Sequence, residues 1–519
     1  MKRIRPAGAV YLLLLFLIAG LPGCIRTQMS FPDLVVEPAV TPQPSSTAPR
    51  PTESSPTETR SEEDLVYLTL AVPFTDQTTQ ALRLLFLARE AGLQLDLSAP
   101  RLGDHVELDD LLQFEGPLAL NTFTVPAAVG VSAEQVRAWR ASATMPDLLY
   151  CSSAAALPDK SQLLPLNDWL YDNMLLSPEL LYPQMLAALS NGQTLYSVPF
   201  LASTPLLCHH AGLLEQLNAR VPPEDLSWTS WAQWLDETQQ LLIRQQLSIA
   251  PAELTTLGDD PQIRQSYLEK AIVLNSQLAA YLPFIAPAAY SALNWGMWQE
   301  NSFALDHPEF RSSAAWLREL AQSGYGTEHL AETDLLGAFQ EDRLISRLMD
   351  SASLDEWDNR EPFAASFSLM PYADEKEMPA KGLSMKRVPL HIRSLYVSRE
   401  TENPELSVKL ATFIAMDPDS LLMQSRFQQY KGLIPLIRDD AVWAALVAPQ
   451  THGALLIALR ERLPYAYTGG QQTVRNWDAI IQEALVQAGS RYLTAAEVDL
   501  EDALRSISST AAVLLHEGG

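Results

Sequence analysis

The chain has 519 residues, of which 62 are Asp or Glu and 36 are Lys or Arg, for a formal net charge of −26. A surface of that sign repels phosphate backbones and anionic headgroups, which argues against nucleic acid as a partner. Apolar residues make up 47% and charged residues 19%, enough for a sizeable buried core, and the length predicts two lobes.

Lys2, Arg3 and Arg5 precede an apolar run from Tyr11 to Ala19, broken by Gly20, Pro22 and Gly23. A membrane span needs ~20 apolar residues, so this run is too short. A basic segment followed by a short apolar one is the pattern of a secretory signal. The run closes on Leu21-Pro22-Gly23-Cys24, which resembles the bacterial lipobox, although Pro22 stands where a small residue is usual. The resemblance implies that residues 1–23 are a lipoprotein signal peptide and that Cys24 is lipidated. The protein would then be extracytoplasmic and anchored to the cell membrane through its lipid.

Residues 24–63 continue as a tether. The stretch "TPQPSSTAPRPTESSPTETRS", Thr41 to Ser61, is almost wholly Pro, Ser, Thr and charge. It cannot bury a core, and a coil of about 40 residues spans ~35 Å. Order is expected from "DLVYLTLAVPF", Asp64 to Phe74, a buried strand. Thr75-Asp76 is an N-cap and "QALRLLFLAREAG" a helix closed by Gly92. "LQLDLSAP" reads as the second strand of a βαβ unit, which predicts a parallel sheet. Residues 99–131 are hard to place beyond a short strand at "LALNTFTV". "SAEQVRAWRAS" reads as a helix and "MPDLLYCSSAAA" as a strand ending near Ser152 and Ser153.

The middle reads as mainly helical, from "SWTSWAQWLDETQQLLIRQQ" to "PEFRSSAAWLRELAQSG". A strand at "PFAASFSLMPY" follows, then a strand, turn and helix across "LYVSRETENPELSVKLATFIAM". The tail, Val474 to Leu515, reads as two helices joined near Thr494.

Five stretches, in order, resemble the extracellular solute-binding proteins of ABC importers, the family-1 group related to maltose-binding protein. "MPDLLYCSS" is similar to the family's strand before its first pocket loop, and "QLLPLNDWL" to its "gLlpLddyl" element. "GQTLYSVPFLASTPLLCHHAGLLEQL" with "SWTSWAQWL" is similar to "GkxYgvPyxxxtxxLyYNkdlf…tWdel". "LLGAFQEDRLISRLMD" resembles "aFxxGkxAMxxxG", and "VSRETENPELSVKLATFIAM" with "KGLIPL" resembles "IsxxsxNPeaAwxFlxFl…Ggxpv". There are departures: Cys208, His209 and His210 stand for Tyr-Tyr-Asn, and Asp342 and Ser346 for Gly and Met.

The resemblance implies an α/β fold of two periplasmic-binding-protein-like lobes (type II, helix-rich) joined by a hinge. Residues 64–200 would begin lobe 1 and 201–385 would be mainly lobe 2. Residues 386–519 would cross back, complete lobe 1 and add the C-terminal helices. Carried over by motif position, the ligand residues are Ser152, Ser153, Ser203, Thr204, Trp295, Met349, Asp350, Arg393, Tyr467 and Trp477. Each also has a structural alternative: strand-end capping for the serines, core packing for the Trp residues, a turn cap for Asp350 and an acid partner for Arg393.

The function implied is a substrate-binding subunit that takes a sugar or oligosaccharide and delivers it to a membrane permease, working as a monomer. A surface sensor or adhesion module of the same fold is the alternative, and a secreted hydrolase a weaker one. G-x-S-x-G, H-E-x-x-H, C-x-x-C and Gly-rich phosphate loops do not occur, so no enzyme activity, catalytic residue, metal or cofactor is expected. His209 and His210 are adjacent, so on a strand they point to opposite faces and cannot share a metal. Cys151 and Cys208 read as two buried thiols rather than one disulfide.

Overall fold

The computed structural model describes residues 65–92, 117–127, 129–152, 160–172, 180–182, 185, 190–191, 194–247, 262, 271–289, 298–299, 302–303, 308–326, 337–354, 365–372, 386–426, 432–447, 452–468, 479–494 and 498–517. All of these belong to one compact unit, Ser61–Gly519. The signal-like segment, Cys24 and the tether lie outside the described residues, as does the strand expected at "LQLDLSAP".

Fifteen strands are described. They are β1 (Val66–Val72), β2 (Leu118–Thr124), β3 (Leu148–Cys151), β4 (Ser190–Asn191), β5 (Thr194–Leu195), β6 (Ser197–Ser203), β7 (Pro205–His210) and β8 (Val273–Asn275). The remainder are β9 (Trp298–Gln299), β10 (Ser302–Phe303), β11 (Leu344–Asp350), β12 (Ala365–Leu369), β13 (Val388–Val397), β14 (Ile434–Pro435) and β15 (Ala466–Thr468). They form two principal sheets. The first runs β14-β6-β13-β3-β1-β2, with β15 added on β13, and the second runs β12-β7-β11-β8.

The first sheet is built on a parallel centre. β1 pairs in parallel with β2, from Val66↔Leu118 to Val72↔Thr124, and with β3 at Leu70↔Leu148. The helix Asp76–Glu90 lies between β1 and β2 in the chain, and its N-cap Thr75 accepts from the Thr78 amide. Its Leu82, Leu85 and Phe86 are buried, the i, i+3, i+4 stripe of a helix that covers a sheet. Gly92 closes it at φ +79°, the left-handed turn that favours glycine. The parallel partner of β1 in this crossover is the short strand expected at "LALNTFTV". Helix Ala133–Ala141 starts on a capping box of Ser132 and Gln135, and β3 follows, buried at all four positions.

The second sheet carries a tryptophan-rich core. Helix Trp228–Arg244 is capped by Ser227 and buries Trp228, Trp231, Trp234, Leu235 and Leu242. Trp228 and Trp231 meet edge to face at 5.4 Å, the arrangement that aromatic quadrupoles prefer. Between this helix and Pro308–Gln322, the reading of a mainly helical middle is corrected in part. A 3-10 turn, Leu278–Tyr281, and a helix, Leu282–Ala289, are present, but so are β8 and the hairpin β9–β10. Short apolar runs such as "VLN" have no periodicity that separates strand from helix, and only the pairing Val273↔Leu344 decides. The C-terminal segments bring Ile480, Ala484, Leu485, Leu504 and Ile507 into this second core.

The departures from the family pattern that the sequence resembles fall in or beside the second sheet. Cys151 and Cys208 are both free and buried. His209 is fully buried beside Trp234, with ring centroids 5.2 Å apart, and its Nε2 meets Ser368 Oγ at 3.1 Å. Burial drives its pKa down to about 3, so it is neutral. His210 points to the other face, where Nδ1 accepts the Leu213 amide and caps helix Ala211–Gln216. No helix among the described residues is long and apolar enough to cross a membrane. No group of three or more His, Cys, Asp or Glu among them is placed to hold a metal.

Candidate functional site

The two sheets are joined by the chain itself. β6 belongs to the first sheet and β7 to the second, and only Thr204 separates them. The chain passes back from β12 in the second sheet to β13 in the first. It leaves once more after β15, which lies alongside β13 at Val388↔Ala466 and Pro389↔Tyr467. Further along, β13 pairs with β6 at His391↔Ser203 and Arg393↔Leu201. The end of β11 reaches the same place from the second sheet, through Asp350↔Pro205.

A polar cluster forms at this junction. Asp350 Oδ2 accepts from Ser203 Oγ at 2.9 Å and meets His391 Nδ1 at 2.9 Å. Its Oδ1 accepts the Ala352 amide at 2.9 Å. Arg393 Nη1 donates to Ser203 Oγ at 2.8 Å and to the His391 carbonyl at 3.1 Å. Thr204 donates its amide to Ser351 Oγ and its hydroxyl to the Pro389 carbonyl, at 3.0 and 2.9 Å, while the Ser351 amide returns to Thr204 O at 2.8 Å. Gly432, at φ +78°, packs so closely against Ser351 that an added Cβ would overlap its carbonyl oxygen. Glycine is required there on both grounds.

Ser203, Thr204, Ser351 and Arg393 are buried. The side chains of Asp350 and His391 keep 31% and 27% of their exposure, so the water-facing part of the cluster is a carboxylate and an imidazole. Burial pushes the Asp350 carboxyl up, but the hydrogen bond and charge of His391, the Arg393 charge and the Ala352 amide outweigh it. The carboxyl is held below its ordinary value and is ionised at neutral pH. An ionised carboxylate and a ring nitrogen beside fixed hydroxyls can accept from and donate to a polyol. Ser, His and Asp are all present, but His391 bonds to Asp350 through Nδ1 and Ser203 donates to the same carboxylate. The imidazole therefore does not stand between hydroxyl and acid, as a hydrolytic relay requires.

Of the sequence-predicted site residues, Ser203, Asp350 and Arg393 come together directly, with Thr204 beside them. Met349 is the neighbour of Asp350 on β11 and is buried. Ser152 follows Cys151, which pairs with Ser394 on β13, and its amide donates to Val129 O at 3.4 Å. Tyr467 is one register step away, opposite Pro389. It is buried, its hydroxyl donates to Phe284 O at 3.3 Å, and the Arg387 guanidinium lies 4.7 Å from its ring centre. Ser153, Trp295 and Trp477 lie outside the described residues. The sequence reading missed His391. A signal was present in "HIR": residues two apart on a strand share a face, which places His391 with Arg393.

The fold is the two-lobed, periplasmic-binding-protein-like α/β fold. No family model matches the sequence, and no curated protein matches it. Solved structures do match. The sugar-binding protein MalE from Xanthomonas citri aligns at a TM-score of 0.58 and 14% identity, over 87% of this chain and 98% of its own. The ABC substrate-binding protein Lmo0181 from Listeria monocytogenes, in complex with cycloalternan, aligns at 0.55 and 12%, over 86% and 98%. UgpB from Mycobacterium tuberculosis, in complex with glycerophosphocholine, aligns at 0.54 and 15%, over 87% and 98%. The first two are described as binding proteins.

Proposed function

We propose that this chain is the lipid-anchored, extracytoplasmic substrate-binding subunit of an ABC importer. It takes a sugar or oligosaccharide between its lobes and hands it to a membrane permease. The observation that carries the reading is the junction: the connections between the sheets meet at one polar cluster whose exposed groups are a carboxylate and an imidazole. Its solved neighbours include proteins whose ligands are cycloalternan and other sugars. The lobes close around the ligand by rotation about the crossing strands. No bond is broken, and no cofactor is needed. Cys24 tethers the body beside its permease through the lipid and the Pro/Ser/Thr segment.

The family departures give no support to a sensor or adhesion role. Cys208, His209, His210, Asp342 and Ser346 lie in or beside the second sheet and take no part in the cluster at the junction.

Thermal unfolding against a panel of sugars, polyols, peptides and polyamines tests the reading. One carbohydrate should raise stability by about 2.7 kcal/mol at a hundredfold excess over Kd. Asp350→Ala should abolish that shift. No shift with any member of the panel would sink the transport reading. The anchor is tested separately: mass analysis of the mature N-terminal peptide should find lipid on Cys24, and Cys24→Ser should release the protein from the membrane fraction.

A further inference from the structure

Asp350 is the charged group that the second sheet presents at the junction, and both side chains on its Oδ2 come from the first sheet: Ser203 from β6 and His391 from β13. These two bonds therefore run from lobe to lobe. The Ser203 bond is sheltered, because Ser203 is buried and Arg393 holds it from behind. The His391 bond is open to water along its edge.

We propose that the Asp350–His391 bond is a proton-controlled tie between the lobes, held tightly when the imidazole is protonated and loosened when it is neutral. The proposal rests on the two-lobed binding reading and adds a regulation to it.

Among the described residues, the groups that face His391 are these. From β11 it faces the Asp350 carboxylate. On β13 itself the cation is Arg393, whose guanidinium is committed to Ser203 Oγ and to the carbonyl of His391. From β6 its register partner is the neutral Ser203. Residues 351–354 (Ser-Ala-Ser-Leu) and β15 (Ala-Tyr-Thr) contribute no acid or base of their own that titrates near neutrality.

With the ring neutral, Nδ1–H still donates to the carboxylate, so the geometry survives. Adding a proton makes the contact an ion pair across the pivot, and a partly exposed pair of this kind changes a population about two- to fivefold. Imidazole is the side chain whose charge can change between mildly acidic and neutral surroundings, and that is the interval over which the tie is tested. Acid would favour the arrangement described here and slow lobe opening.

The test needs no ligand. The full-length protein, in a Cys24→Ser background, carries a dye pair on cysteines introduced at Glu134 and Gln240, both exposed, on helices Ala133–Ala141 and Trp228–Arg244. Cys151 and Cys208 are buried and stay unlabelled. Single-molecule energy transfer should show the ratio of the two interlobe states shifting about two- to fivefold between pH 5 and pH 8. His391→Gln, which keeps a donor for Asp350, should flatten that dependence. So should Asp350→Asn, which serves as the second variant if the first misfolds. No pH dependence in the parent, or an undiminished one in both variants, overturns the proposal. A protein that bound no sugar would fail the functional reading and could still pass this test, so the two failures are told apart.

Discussion

His210 Nε2 and Asp342 Oδ1 lie 2.6 Å apart, joining β7 to the turn before β11. Asp342 holds φ +57° there, a left-handed position that Asp tolerates better than most residues. In the family pattern that the sequence resembles, Gly stands at this position and Asn, an ordinary helix N-cap, at that of His210. We expect the two departures to compensate each other in stability. His210 caps the helix as Asn would, and Asp342 occupies the left-handed site as Gly would, while the pair gains a hydrogen bond.

A double-mutant cycle follows. His210→Ala should lower stability by about 1 kcal/mol through loss of the cap. His210→Asn combined with Asp342→Gly should lie within about 0.5 kcal/mol of the parent in urea unfolding. A double variant as unstable as His210→Ala would contradict the compensation.

His209 sets a pH dependence of stability. Its pKa is about 3 in the folded protein because burial disfavours the charged ring, against about 6.5 in the unfolded chain. The unfolded state thus binds the proton first. Stability from this group is full above pH 6.5 and is lost as pH falls toward 3, by about 2 kcal/mol at pH 5. Comparing urea midpoints at pH 7 and pH 5, His209→Gln should remove that share of the loss while costing stability at pH 7.

Arg462 is fully buried. Its Nε donates to Asp225 Oδ1 at 2.9 Å and its Nη1 to Met370 O at 2.6 Å. Lys386 Nζ lies 2.6 Å from Asp225 Oδ2. Burial alone would raise the Asp225 carboxyl, but Arg462 and Lys386 pull it below its ordinary value. Asp225→Ala would strand a buried guanidinium and should cost about 3–5 kcal/mol in urea unfolding. Because the folded pKa is depressed, the stabilisation from Asp225 is present above its unfolded value and disappears as pH falls below about 4. A variant whose acid unfolding matches that of the parent would contradict the pairing.

Gly432→Ala should cost about 1–3 kcal/mol, since the added methyl meets the Ser351 carbonyl and the backbone is left-handed. Gly92→Ala has the same φ penalty but open space around it, so it should cost less. Equal losses in the two variants would show that the close approach to Ser351 does not matter.

Much of the fold was legible because it is written locally. Thr75, Ser132 and Ser227 each begin a helix within a few residues of the apolar stripe they introduce, and caps and periodicity act over one or two turns. β8 was not legible, because a strand of three residues carries no period. At the site, Ser203 and Arg393 were found by motif position, but their bond was not, and His391 was overlooked.

The sequence by itself determined the capped helices and the longer strands, the acidic composition and the residues available for a polar site. Only the tertiary structure decided that Ser203, Asp350 and His391 share one carboxylate, although 147 and 41 residues separate Asp350 from its two partners. Strand pairing across such separations leaves no local signature. It is fixed by which faces the two sheets bury together, and so the function of those side chains emerges only where the crossing strands meet.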